Sequence, residues 1–146
     1  WLIAPFLIVI FVYDLKHYLI PDKAVYPAIG IALLFGLLKS DFSALAFAPA
    51  AFFLAIVLIS REKWMGMGDV KLAFLMGILL GWPDTLVALF LAVFSGAIIG
   101  IGLMAVGKKK MKSEVPFGPF LIGGTFAALF WADEIINWYL NFFTYL

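Results

Sequence analysis

Nine acidic residues occur in the chain, and six of them have ordinary places. Asp41, Asp84, Asp133 and Glu134 stand at the ends of apolar runs, and Glu62 and Glu114 sit in charged loops. Asp14, Asp22 and Asp69 are different. Asp14 follows thirteen uncharged residues, so in a helix it lies roughly 20 Å from Trp1, near or within the hydrocarbon boundary. A carboxylate inside a span costs about 3 kcal/mol on insertion scales, so a sequence keeps one there when it works or pairs. The alternative is a solvated interface site beside Lys16 and His17. Asp69 closes Gly66-Met67-Gly68-Asp69, where two glycines let the backbone turn sharply and approach another segment closely. Its alternative is a helix N-cap. If Asp14 and Asp69 face one another, both cannot ionise at close range. The pair then holds one proton, supplying a base to activate water and an acid to protonate a leaving group. This is aspartyl hydrolysis, with titration belonging to the pair. With one histidine and no cysteine, the chain offers no thiolate nucleophile and no histidine-rich metal site. The step requires no metal or organic cofactor.

The elements that must position these groups follow from composition. Of 146 residues, 66% are hydrophobic, 18% aromatic and 13% charged, with mean hydropathy +1.13. A soluble domain is nearer half apolar and a quarter charged, so the solvent implied here is lipid. The uncharged runs are Trp1–Tyr13, Ala24–Leu38, Phe42–Ser60, Leu72–Pro83, Thr85–Gly107 and Val115–Ala132, followed by an aromatic tail from Ile135 to Leu146. Backbone groups in hydrocarbon must pair internally and no strand-like alternation is present, so the runs predict helices. The expected fold is all-α, a polytopic membrane bundle of about six spans in a single domain over residues 1–146. The Leu72–Pro83 run is short, but Lys71 can reach toward the headgroups and the helix can begin near Gly68.

If connections alternate sides, Lys16, Lys23, Arg61, Lys63, Lys71, Lys108, Lys109, Lys110 and Lys112 fall on one face and only Lys39 on the other. That asymmetry makes the first face cytoplasmic and places Asp14, Asp22 and Asp69 there. The net charge of +1 offers no field to attract nucleic acid. Pro21, Pro83 and Pro116 punctuate the runs, and Asp41 and Asp84 are expected N-caps. Trp82, Trp131, Trp138 and Tyr139 are expected in an outer aromatic belt. Gly77/Gly81 and Gly96/Gly100 are expected helix contacts. Because Trp1 opens inside an apolar run, a longer natural chain is expected.

Three blocks carry a family resemblance. Asp14 with Pro21-Asp22, in Tyr13-Asp14-Leu15-Lys16-His17-Tyr18-Leu19-Ile20-Pro21-Asp22, resembles the Asp-x(6)-Pro-Asp stretch of type IV prepilin peptidases. Gly66-Met67-Gly68-Asp69-Val70-Lys71-Leu72 resembles their Gly-X-Gly-Asp block, and Val115-Pro116-Phe117-Gly118-Pro119-Phe120-Leu121 resembles a Pro-Phe-Gly-Pro segment opening the last helix. The resemblance implies an intramembrane aspartic endopeptidase with Asp14 and Asp69 as catalytic dyad. It implies removal of a short basic leader from prepilins or pseudopilins at the cytoplasmic face of the bacterial inner membrane. Asp22 is a candidate to attract the leader, its alternative being a salt bridge to Lys71 or Lys23. Gly66, Gly68, Lys71, Pro116, Phe117, Gly118 and Pro119 are expected to shape substrate entry. Larger members add an N-terminal domain with a cysteine zinc motif associated with methylation; the chain carries no cysteine, so only peptidase chemistry is expected from it. The rival reading is a proton- or ion-coupled transporter subunit, which predicts midplane carboxylates and inverted repeats.

Overall fold

The computed structural model describes residues 2–39, 43–63, 65–105 and 116–144. These residues form helices and no strand: α1 (Ala4–His17), α2 (Asp22–Lys39), a short 3-10 helix (Ala44–Phe47) leading into α3 (Ala48–Ser60), α4 (Met67–Leu80), α5 (Asp84–Ala105) and α6 (Gly118–Thr144). Trp1, Asp41, Lys108, Lys109, Lys110, Lys112 and Glu114 lie outside the described residues, and with them the expected cap at Asp41 and the basic loop before the last helix.

The boundaries follow backbone chemistry. Pro5 and Pro49 occupy the first turns of α1 and α3, where a missing N–H breaks no intrahelical bond. Pro21 and Pro83 immediately precede α2 and α5. α1 ends on Tyr18 (φ 56°) and α3 on Arg61 (φ 51°) followed by Glu62 (φ 61°), all left-handed. The Tyr18 amide returns to the Asp14 carbonyl at 2.9 Å, and the Glu62 amide to the Val57 carbonyl at 3.1 Å, satisfying carbonyls that the helix ends would orphan.

Two outcomes differ from the sequence expectation. The sixth apolar run and the aromatic tail form one helix, because Asp133 and Glu134 point outward and an exposed charge does not interrupt backbone pairing. Gly81 does not pack against another helix; it caps α4 with φ 73°. Its partner in the spacing, Gly77, does pack closely, since a Cβ there would overlap the Ala46 carbonyl oxygen. Gly96 faces Phe117 and Phe120, while Gly100 has open space around it.

Among the described residues, two helical segments are long and apolar enough to cross a membrane: Asp84–Leu103, with mean hydropathy 2.6, and Gly118–Phe142, with 1.3. Helices α1, α3 and α4 have 14, 13 and 14 residues, and the 18 residues of α2 include Asp22, Lys23 and Lys39. α4 is the central element, packed by α2, α3, α5 and α6, with Leu72, Ala73, Leu75, Met76 and Gly77 buried. α1 closes the bundle against α2 and α6. Large apolar side chains cover the outside of the bundle, among them Ile8 and Val12 on α1, Leu34 on α2, Phe52 and Ile59 on α3, Phe90 and Phe94 on α5 and Phe130 on α6. Apolar surface this extensive is not what a water-exposed monomer presents.

Candidate active site

Five helix ends meet on one side of the bundle: the C-termini of α1 and α3, and the N-termini of α2, α4 and α6. These ends, or the residues just before or after them, line an open cleft of about 2000 Å³. One wall is the face of α1 carrying Pro5, Phe6, Val9 and Tyr13, and the exposed Lys23, Glu62 and Lys63 also line it.

Asp14 occupies the last turn of α1 and is only 3% exposed. It borders the cleft with its carboxylate turned against Gly118, the first residue of α6; a Cβ on Gly118 would overlap Asp14 Oδ2. The Gly118 N–H lies beside this carboxylate, but no group among the described residues meets the buried oxygen in good hydrogen-bond geometry, a costly arrangement unless the group has a role. The solvated patch beside Lys16 and His17 is therefore not where Asp14 sits. Those two side chains are exposed, and the His17 ring stacks on Tyr13 with centroids 4.3 Å apart.

Asp69 is the third residue of α4. Gly66, extended at φ −81° and ψ 157°, is the N-cap. The Asp69 amide donates to the Gly66 carbonyl at 3.2 Å, and the Asp69 carboxylate lies beside the Gly66 N–H, the position from which a third helical residue reaches back in a capping box. Gly66 rather than Asp69 is therefore the N-cap, and Asp69 borders the cleft from the first turn of α4. Asp14 and Asp69 both line this cleft, near enough for their carboxyl groups to interact electrostatically.

The remaining expected residues divide. Asp22, Gly66, Gly68, Lys71, Pro116 and Phe117 line the same cleft. Pro119 is buried in the first turn of α6 and is not part of that lining. Asp22 pairs with Lys71, Oδ1 to Nζ, at 2.6 Å, and the same ammonium lies 4.9 Å from the centroid of the Tyr26 ring. Of the two candidate lysines, Lys71 is the partner. Among the described residues, no three His, Cys, Asp or Glu side chains converge as metal ligands.

Sequence reasoning passed over the apolar wall and Ile20. The wall was detectable in principle, since positions 5, 9 and 13 share a helical face with four-residue spacing. Ile20 carries no such signal: it is one apolar residue in a turn, and only its neighbours distinguish it.

The description "Type IV leader peptidase family" matches residues 1–101, a span that includes Asp14, Asp22, Gly66, Gly68, Asp69 and Lys71 and stops before Pro116. The prepilin leader peptidase/N-methyltransferase of Aeromonas hydrophila is 35% identical over 139 residues, covering 89% of this chain and 48% of that protein. The protein of the same name from Legionella pneumophila is 33% identical over 138 residues, covering 88% and 48%. That from Bacillus subtilis is 31% identical over 139 residues, covering 92% and 56%. The chain spans about half the length of the curated relatives it matches. No solved structure matches it. With both cleft aspartates inside a match that covers most of its length, the chain belongs to the type IV leader peptidase family.

Proposed function

We propose that the chain is an intramembrane aspartic endopeptidase that removes the leader from type IV prepilins or pseudopilins. The observation carrying this reading is the pair of aspartates on one cleft, Asp14 buried with an unpartnered oxygen and Asp69 at the start of the central helix. The six helices are taken to lie in the bacterial inner membrane, supported by the apolar exterior, with the cleft toward the cytoplasm. Of the ten basic residues, Lys23, Lys63 and Lys71 line that cleft, as expected of a cytoplasmic face.

In this mechanism the substrate's apolar segment lies in lipid beside the bundle while its basic leader remains in water at the mouth. Asp14 and Asp69 share one proton and hold the attacking water between them. The ionised member takes a proton from the water as its oxygen bonds to the scissile carbonyl carbon. The protonated member hydrogen-bonds the developing oxyanion. Collapse breaks the C–N bond, and the leaving amine takes a proton from an aspartate, which regenerates the one-proton pair. Because Asp22 is already paired with Lys71, its attraction for a basic leader is reduced, and removing Lys71 is expected to raise it.

The test is cleavage of a prepilin in proteoliposomes by the chain and by its Asp14→Asn and Asp69→Asn variants, with folding followed by gel filtration in detergent. Loss of cleavage in both folded variants is expected. Cleavage surviving in either one removes that residue from the dyad.

A further inference from the structure

We infer that Ile20 is a positioning residue: its Cδ1 methyl, held between Gly68 and Gly118, sets the separation of the Asp14 and Asp69 carboxyl groups. The inference rests on the proposed dyad for its catalytic consequence, and on packing alone for its geometry.

The two glycines are each tied to one aspartate. Gly68 immediately precedes Asp69 in the first turn of α4, and Gly118 opens α6 directly against Asp14 Oδ2. Both also face Ile20. A Cβ on Gly68 would come within 2.9 Å of Ile20 Cβ, 3.1 Å of Cδ1 and 3.3 Å of Cγ1. A Cβ on Gly118 would lie 3.4 Å from the same Cδ1. One methyl group therefore keeps the backbone beside Asp69 away from the backbone beside Asp14. Neither glycine can gain a side chain without displacing it or the carboxylate.

Ile20 is itself held from three directions. Pro21 follows it, which disfavours helical backbone at Ile20, and Ile20 lies outside both α1 and α2. The left-handed turn at Tyr18 brings the chain back from α1 over the cleft. One residue beyond Pro21, the Asp22–Lys71 pair, 2.6 Å long and backed by the Tyr26 ring, fastens this turn to α4 two residues after Asp69. β-Branching restricts χ1, so the side chain has little freedom to swing out of the gap. A misplacement of about 1 Å at an active site can cost about 10²-fold in rate, so a spacer of one methyl is large enough to matter.

The chain has no cysteine, which allows the separation to be measured without relying on activity. Asp14→Cys and Asp69→Cys are combined in membranes and treated with thiol cross-linkers of graded span, with Ile20 intact and with Ile20→Val or Ile20→Gly added. Valine lacks the Cδ1 methyl. With Ile20 intact, cross-linking is expected to favour one span; with Ile20→Val the preference should broaden several-fold, and with Ile20→Gly disappear. An identical span profile in all three overturns the inference. In a second arm, with both aspartates present, Ile20→Val is expected to lower kcat about tenfold or more with KM within about twofold and detergent gel filtration unchanged. A merely structural role would reduce the folded fraction and leave kcat per folded molecule unaltered, and that result also overturns it. If the unsubstituted chain fails to cleave prepilin, the peptidase reading falls while the cross-linking arm still decides the role of Ile20.

Discussion

Helices α4 and α5 are both strongly apolar, yet they occupy opposite environments. α5 has 22 residues, about 33 Å of helix, and turns Phe90, Phe94 and Ile98 outward. α4 has 14 residues, about 21 Å, and its buried set of Leu72, Ala73, Leu75, Met76 and Gly77 faces protein. The longer helix meets the length of a bilayer and the shorter one does not. A helix surrounded by other helices need not match the bilayer, because its ends can open into a cleft rather than into headgroups. That freedom lets α4 begin with Gly66 at its cap and carry Asp69 and Lys71 in its first turns. Of these two apolar helices, the one packed inside the bundle is the one that carries a cleft aspartate.

Substitutions can break that contrast, starting with the chemical group. Asp69→Asn is expected to lower kcat by about 10²–10⁴-fold, the range for losing a general acid or base, without changing the folded fraction in detergent gel filtration. A charge-removing change on α5, Asp84→Asn, should leave cleavage within about twofold in the same assay. Equal losses from both would dissolve the distinction between the helices.

Packing comes next. Gly77→Ala places a methyl onto the Ala46 carbonyl and is expected to destabilise by about 1–3 kcal/mol. Gly100→Ala, with open space at that position, should stabilise by up to about 1 kcal/mol through helix propensity. Denaturation with a graded fraction of sodium dodecyl sulfate, followed by circular dichroism, would register these opposite signs. Leu75→Ala should cost about 2 kcal/mol in the same experiment, from the cavity it leaves. Phe94→Ala should cost less than about 0.5 kcal/mol, since lipid replaces the lost contacts as an equally apolar neighbour. Comparable losses from Leu75 and Phe94 would mean that α5 is covered by protein rather than lipid.

A similarly small effect is expected from the half-exposed Asp22–Lys71 pair, whose coupling in a double-mutant cycle should be about 0.5 kcal/mol or less and fall as salt is added. A coupling that ignores salt would show the pair to be shielded from solvent.

Much of this architecture is legible in the residues. The apolar runs locate the helices because backbone groups in an apolar setting have to pair within their own segment, which makes each helix a local property. Pro21 and Pro83 mark two helix starts for an equally local reason, the missing N–H. The run ending at Ala132 misplaces the last boundary, since Asp133 and Glu134 can lie on an outward face of an unbroken helix. The Gly-x-x-x-Gly spacing also misleads at Gly81, because spacing alone does not distinguish a helix contact from a left-handed cap.

The sequence by itself determined that the chain is helical and apolar, and that its unexplained carboxylates fall beside Gly66–Gly68 and on either side of Pro21. Those features depend on residue type and on neighbours within a few positions. Only the tertiary structure decided that α4 is central, that Asp14 Oδ2 rests against Gly118, that Lys71 rather than Lys23 takes Asp22, and that one methyl of Ile20 separates two glycines. Each of these is a contact between segments tens of residues apart. Its free energy is set by atoms that no local pattern names.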